Sequence, residues 1–184
     1  MDQSSVIVKL GPSTIYHQIG LGAMRWYLAT KESKEDSVAF LKQKDGILAH
    51  MMGALGEEAA SSFLGLRNPM SVGTFKTSSD LPFGIEVRTV MNYSDKKDGD
   101  RASLIVRERD SEGRIYLLVG EDLPTFYILG WVRGSEAKVE KYKENPNGRG
   151  EAYFVPQREL KNPRLLLSMV GAAIQKTNME RATK

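Results

Sequence analysis

The period of the hydrophobic positions changes along the chain. In "GPSTIYHQIGLGAMRWYLATKES", Ile15, Ile19, Met24, Tyr27 and Leu28 recur near helical spacing behind Ser13 or Thr14, either of which suits an N-cap. This pattern predicts a helix over about 14–31. Gly20 and Gly22 each weaken it by about 1 kcal/mol against alanine, which points to a close helix crossing. After the polar break "KESKED", the residues Ile47, Leu48, Met51, Met52, Leu55, Ala59 and Phe63 form a second apolar face. Gly65 and Pro69 end it, giving a helix over about 46–64.

From residue 70 the period shortens to two. Candidate strands fall at 72–77, 85–92, 103–109, 115–120, 125–132 and 152–156, rich in Val, Ile, Tyr and Phe. "DKKDGD" and "DSEG" supply the Asp and Gly that tight turns favour. Asn162 then suits a cap and Pro163 a first helical position, so a last helix is expected over about 163–178. The order helix, helix, sheet, helix predicts an α+β fold, a central mixed β-sheet flanked by helices on one or both faces. One domain is expected, with an N-terminal helical part (1–45), a core (46–160) and a C-terminal helix (161–184).

Composition narrows the class. The chain has 184 residues, 41% hydrophobic and 27% charged, values typical of a globular protein with a sizeable core. Without cysteine, neither disulfides nor thiolate metal sites are possible. No apolar run is long enough to span a membrane, and "MDQSSVIVKL" does not read as a secretion signal, so cytoplasm is the expected location. A net charge of +3 permits a polyanionic partner without requiring one. Oligomeric state stays open, a homo-oligomer included.

The chemistry concentrates in "SSDLPFGIEVRTV" (78–90). If Pro82-Phe83-Gly84 is a three-residue loop with Gly84 at positive φ, Leu81 pairs with Ile85 and Asp80 falls opposite Glu86, with Cβ atoms about 4.5–5.5 Å apart. Period two puts Glu86 and Arg88 on one face and Ile85, Val87 and Thr89 on the other. Two readings follow. Either Arg88 neutralises one acid and the rest faces water, or Asp80 and Glu86 bind Mg²⁺ or Mn²⁺ while the basic residue faces a phosphate. The second helix offers a third acid, Glu57 or Glu58. These lie about 100° apart around the axis, so only one points squarely at the sheet. Glu57 follows Gly56, which allows close approach of a neighbour.

A helix acid followed by Asp and Glu-x-basic on a strand-turn-strand resembles the PD-(D/E)XK nuclease superfamily, in particular its small phage- and prophage-type proteins. The segments carrying the resemblance are "HMMGALGEEA", "TFKTSSDLPFGIEVRT", "LIVRERD", "YLLVGEDLPTFYILGWVRGSEAK" and "AYFVPQREL", in that order over about 110 residues. The resemblance implies a restriction-endonuclease-like fold and Mg²⁺- or Mn²⁺-dependent hydrolysis of DNA in a bacterial host's cytoplasm. It further implies Glu57, Asp80 and Glu86 as metal ligands. Arg88 stands where that element has its lysine, and arginine stabilises a transition state but does not accept a proton. Lys76, four residues before Asp80, is a candidate substitute. The alternative is a catalytically inactive module on the same scaffold that binds nucleic acid or protein.

Other residues carry weaker signals. His50 and His17 read as structural, and two histidines without cysteine give zinc little support. Trp131 and Tyr153 suit sheet packing more than base stacking. Gln157 and Arg158 follow a strand end at Pro156, within reach of a nucleic-acid backbone, and "EKYKENPNGRG" (140–150) reads as a polar loop. Neither phosphate-loop pattern is present.

Overall fold

A computed structural model describes residues 5–32, 45–72, 78–94, 102–145 and 150–182. In chain order the elements are β1 (Val6–Lys9), α1 (Pro12–Glu32), α2 (Asp45–Leu64), a 3₁₀ turn (Pro82–Gly84), β2 (Ile85–Met91), β3 (Ser103–Arg107), β4 (Ile115–Asp122) and β5 (Thr125–Arg133). They continue with the one-turn α3 (Gly134–Ala137), β6 (Lys143–Glu144), β7 (Ala152–Pro156) and α4 (Pro163–Ala182). The expected helices and five of the six expected strands fall where the periodicity puts them. Most of the candidate strand 72–77 and the "DKKDGD" turn lie outside the described residues. The short strands β1 and β6 have no counterpart among the expected elements.

The strands divide into two sheets. A mixed four-stranded sheet has the order β1-β5-β4-β2, in which β2 and β4 are parallel and the other pairs antiparallel. An antiparallel three-stranded sheet has the order β3-β7-β6. Along β4 the side chains alternate between two cores. Leu117 and Val119 join Ile85, Val87, Phe126 and Ile128 beneath Leu55 and Ala59 of α2 and Leu166 and Val170 of α4. Tyr116 and Leu118 point the other way, to Leu104, Val106, Tyr153 and Val155 of the second sheet. The long helices thus cover one face of the mixed sheet, and the small sheet covers the other.

The alternation in β5 breaks at one extra residue: Leu118 opposes Gly130 while Val119 opposes Ile128. This bulge lets both Ile128 and Trp131 face the helices, although three positions separate them. Helix α1 lies against α2 at Gly22, where an added Cβ would stand 2.4 Å from the Met51 Cα. The close crossing inferred from the two glycines is therefore real at Gly22; at Gly20 a Cβ would meet nothing within 4 Å. No helix among the described residues is long and apolar enough to cross a membrane.

Candidate functional site

The turn before β2 forms as its residues dictate. Leu81 donates its N–H to the Ile85 carbonyl at 3.0 Å, and the two make an antiparallel bridge around Pro82-Phe83-Gly84. Gly84 takes φ 70°, the left-handed conformation that glycine adopts without a Cβ penalty, and Phe83 takes φ 65°. Among the described residues the pairing stops at that bridge. Asp80 does not sit across a ladder from Glu86. Its Oδ2 accepts the Val87 N–H at 2.8 Å, satisfying an amide on the side of β2 away from β4.

Glu86 and Arg88 share the face of β2 turned toward the second sheet, beside Tyr116 and Leu118 in the parallel register. The Arg88 guanidinium is held from several sides. It donates to Asp110 Oδ2 at 3.0 Å and to Glu86 Oε2 at 3.4 Å, and its centre lies 5.3 Å from the Tyr116 ring centroid. Asp110 is itself fixed, since the same Oδ2 accepts the Arg107 N–H at 2.9 Å and the Asp110 N–H bonds back to the Arg107 carbonyl. Arg114 donates to Glu86 Oε1, so each oxygen of this glutamate faces a guanidinium.

Together these groups line an open cleft of about 690 Å³, which also takes in Asp80, Arg109 and Ser111. Its formal charge balances, with three carboxylates against three guanidiniums. Sequence reasoning found Asp80, Glu86 and Arg88 but missed Arg114, Asp110, Arg109 and Tyr116. Asp110 ends "LIVRERD", a stretch noticed only as part of a resemblance. Arg114 immediately precedes β4, and the register Ile85↔Ile115 carries it beside Glu86.

Glu57 stands on α2 next to Gly56, whose own added Cβ would meet Thr89 Oγ1 at 1.9 Å, so the close neighbour inferred there is a side chain of β2. Both Glu57 oxygens are taken by Arg25 of α1, at 2.6 and 2.7 Å, and both side chains are buried. Arg25 Nε also donates to the Ser71 carbonyl at 2.9 Å. Its neighbour Glu58 accepts from Gln18 and Asn68 instead. Lys76 lies outside the described residues.

His50 is half-buried, and burial, followed by Arg25, pushes its pKa down. His17 is exposed on α1. Trp131 is buried and donates to the Asn162 carbonyl, and the Tyr153 hydroxyl donates to Glu108. Gln157 bonds the Tyr93 hydroxyl, away from the cleft residues.

The electrostatics tie the acids together. Burial pushes the Glu86 carboxyl above the ordinary glutamate range, and the Asp80 charge pushes it the same way against Arg88 and Arg114. Burial also raises Glu57; Arg25 opposes this, while Asp80 and Glu86 add to it. The Tyr116 hydroxyl is pushed up to about 12, by burial first and then by Asp110 and Glu86. For Arg88, burial alone would lower the value, but Asp110, Glu86 and Asp80 outweigh it and hold the guanidinium charged.

Mg²⁺ or Mn²⁺ takes hard oxygen ligands, and Mg²⁺ keeps several waters, so two carboxylates suffice for a site. Asp80 and Glu86 are the carboxylates at the cleft wall that could hold such an ion, Glu86 by sharing oxygens that now face Arg88 and Arg114, and the Asp80 charge that raises Glu86 is what a cation would relieve. With both its oxygens on Arg25, Glu57 reaches such an ion only by giving up that pair. Among the described residues, no three His, Cys, Asp or Glu side chains form a ready-made metal cluster. No family model, curated protein or solved structure matches this chain.

Proposed function

We propose that the cleft binds the phosphodiester backbone of a nucleic acid, DNA in the first instance, and hydrolyses it with a divalent cation held by Asp80 and Glu86. The observation that carries this reading is the meeting of two mutually repelling carboxylates with Arg88 and Arg114 in one open cleft. When bound, Mg²⁺ or Mn²⁺ supplies Lewis-acid polarisation of the phosphoryl oxygen and lowers the pKa of a coordinated water.

The chain's own residues do the rest. Arg88, immobilised by Asp110, and Arg114, which is one-third exposed, present charged donors to the phosphoryl oxygens as negative charge develops on them. Neither Arg88 nor Tyr116 gives up a proton near neutral pH, so proton acceptance falls to the carboxylates.

The test is incubation of the purified chain with linear, plasmid and single-stranded DNA in Mg²⁺ or Mn²⁺, with calorimetry of Mn²⁺ binding alongside. Wild type is expected to cleave, and Asp80→Asn and Glu86→Gln to lose about a hundredfold or more in rate while staying folded. A chain that neither cleaves any strand form nor binds Mn²⁺ overturns the reading.

A second reading is favoured by the double pairing of Glu86 with arginines: a module that binds the same backbone without chemistry. It predicts unchanged DNA affinity in Asp80→Asn and no cleavage by any variant.

A further inference from the structure

The cleft continues past Arg88. A second cavity of about 190 Å³ shares Arg88 with it and opens between β2 and β3, strands that each lie at the margin of their own sheet. Its walls differ in character from the cleft's. Ile105 is 40% exposed there, and Val90 and Leu118 add further apolar surface. Ser103 contributes a hydroxyl, and Arg88 and Arg107 stand at its polar margin. Arg88 Nε reaches the Ile105 carbonyl at 3.4 Å, which ties the two strands together where the cavities meet. Arg107 is exposed and makes no ion pair among the described residues.

The space is too small for a folded ligand, and its lining mixes apolar side chains (Val90, Ile105, Leu118) with polar ones (Arg88, Thr89, Ser103, Arg107). Such a site suits a flat heterocycle, which offers an apolar face and a hydrogen-bonding edge. Its position next to the phosphate-facing guanidiniums says what the heterocycle is attached to. Resting on the phosphodiester reading above, we propose that this cavity is a nucleobase subsite and that the substrate is an unpaired strand. One base seats between Ile105 and the Arg88 guanidinium, while the adjoining phosphate lies in the cleft. Packed sheets lie about 10 Å apart, so a crevice between their margins, with side chains on both walls, admits one base and excludes a base pair with its two backbones.

The test uses the full chain in EDTA, so that binding is read without cleavage. Fluorescence anisotropy compares a short oligothymidylate with an abasic strand carrying the same number of phosphates, and with a duplex. Oligouridylate, run alongside, separates a ribose from a deoxyribose source of the same base chemistry. The base-bearing strand is expected to bind about tenfold tighter than the abasic one, and tighter than duplex. Ile105→Ala should shrink that difference to about threefold or less, and Ile105→Phe should restore it, because a ring stacks on a base where a methyl does not. In both variants the abasic affinity should stay near the wild-type value and the melting temperature should fall by only a few degrees, since the side chain is 40% exposed on a marginal strand.

Equal affinities of wild type for the base-bearing and abasic strands would overturn the subsite and leave the phosphodiester reading standing. Tighter binding of duplex than of single strand would overturn the subsite as well. No binding of any strand would overturn the subsite, while the phosphodiester reading stands or falls on the cleavage and Mn²⁺ test above.

Discussion

Two glutamates in this protein meet arginine in opposite ways. Glu57 and Arg25 form a closed pair between α2 and α1: two short parallel bonds, with side chains only 10% and 6% exposed. Glu86 is nearly as buried, yet its oxygens are divided between Arg88 and Arg114, each about one-third exposed at an open cleft. The first arrangement fills the coordination of both partners and leaves a ligand nothing to take. The second holds a carboxylate whose partners can be shared with an incoming phosphate or cation. The same residue pair thus serves packing in one place and recognition in the other. Solvent access and the number of partners distinguish the two.

Removing the arginine from each site should separate them most. Arg25→Ala strands a buried carboxylate and deletes the bond to the Ser71 carbonyl, so it should lower stability by about 3–5 kcal/mol, read from urea unfolding. Replacing both members with apolar residues, Arg25→Met with Glu57→Leu, should recover most of that loss, because no buried charge remains. If Arg25→Ala unfolds no more easily than wild type, the pair is not a closed one.

Asp110→Ala should come next, at about 1–2 kcal/mol, since it removes both the bond to Arg88 and the turn bond to the Arg107 amide. Its larger signature should be weaker binding of phosphodiester strands, because Arg88 is no longer fixed. Unchanged strand affinity in that variant would dismiss Asp110 as a positioning residue. Arg114→Ala should change stability by only about 0–1 kcal/mol, given its exposure, while reducing the salt dependence of strand binding by about one phosphate contact.

Sequence reading went further with elements than with partners. The strand over 85–92 is legible from its β-branched residues and the alternation that Ile85 and Val87 begin, the helix over 46–64 from apolar residues that keep helical spacing, and the structure ends both within a residue or so. "LPFG" announced its own bridge, since Gly84 needs positive φ and Pro82 fixes the entry. Period two says which residues share a face but not which sheet a strand joins, so the division into two sheets was invisible. β1, with four residues, is too short for a periodic signal. The partners of the acids were hidden for a different reason. Arg25 is 32 positions from Glu57 and Arg114 is 28 from Glu86, and only a helix crossing and a parallel register bring them together. An acid with a functional look in sequence can turn out saturated, as Glu57 did, or shared, as Glu86 did.

The smallest expected effect is a change in how stability varies with pH, and it probes the two glutamates on equal terms; Glu57→Gln lowers overall stability by stranding Arg25, so the slope alone is compared. Both carboxyls have folded values raised above the ordinary glutamate value near 4.5, so folding favours their protonated forms. The stability each contributes is therefore fully present below that value and is lost as pH rises through the raised one. Glu57→Gln and Glu86→Gln should each flatten this decline, so that the variant's urea midpoint gains on that of wild type as pH rises above the ordinary glutamate value. Added Mn²⁺ then breaks the symmetry. If Asp80 and Glu86 hold the ion, it must bind their ionised forms, and its stabilising effect should grow with pH in wild type and in Glu57→Gln but vanish in Glu86→Gln. Equal loss of the Mn²⁺ effect in both variants would mean that Glu57 leaves Arg25 to join the ion, and the closed pair would then belong to the same site as the open one.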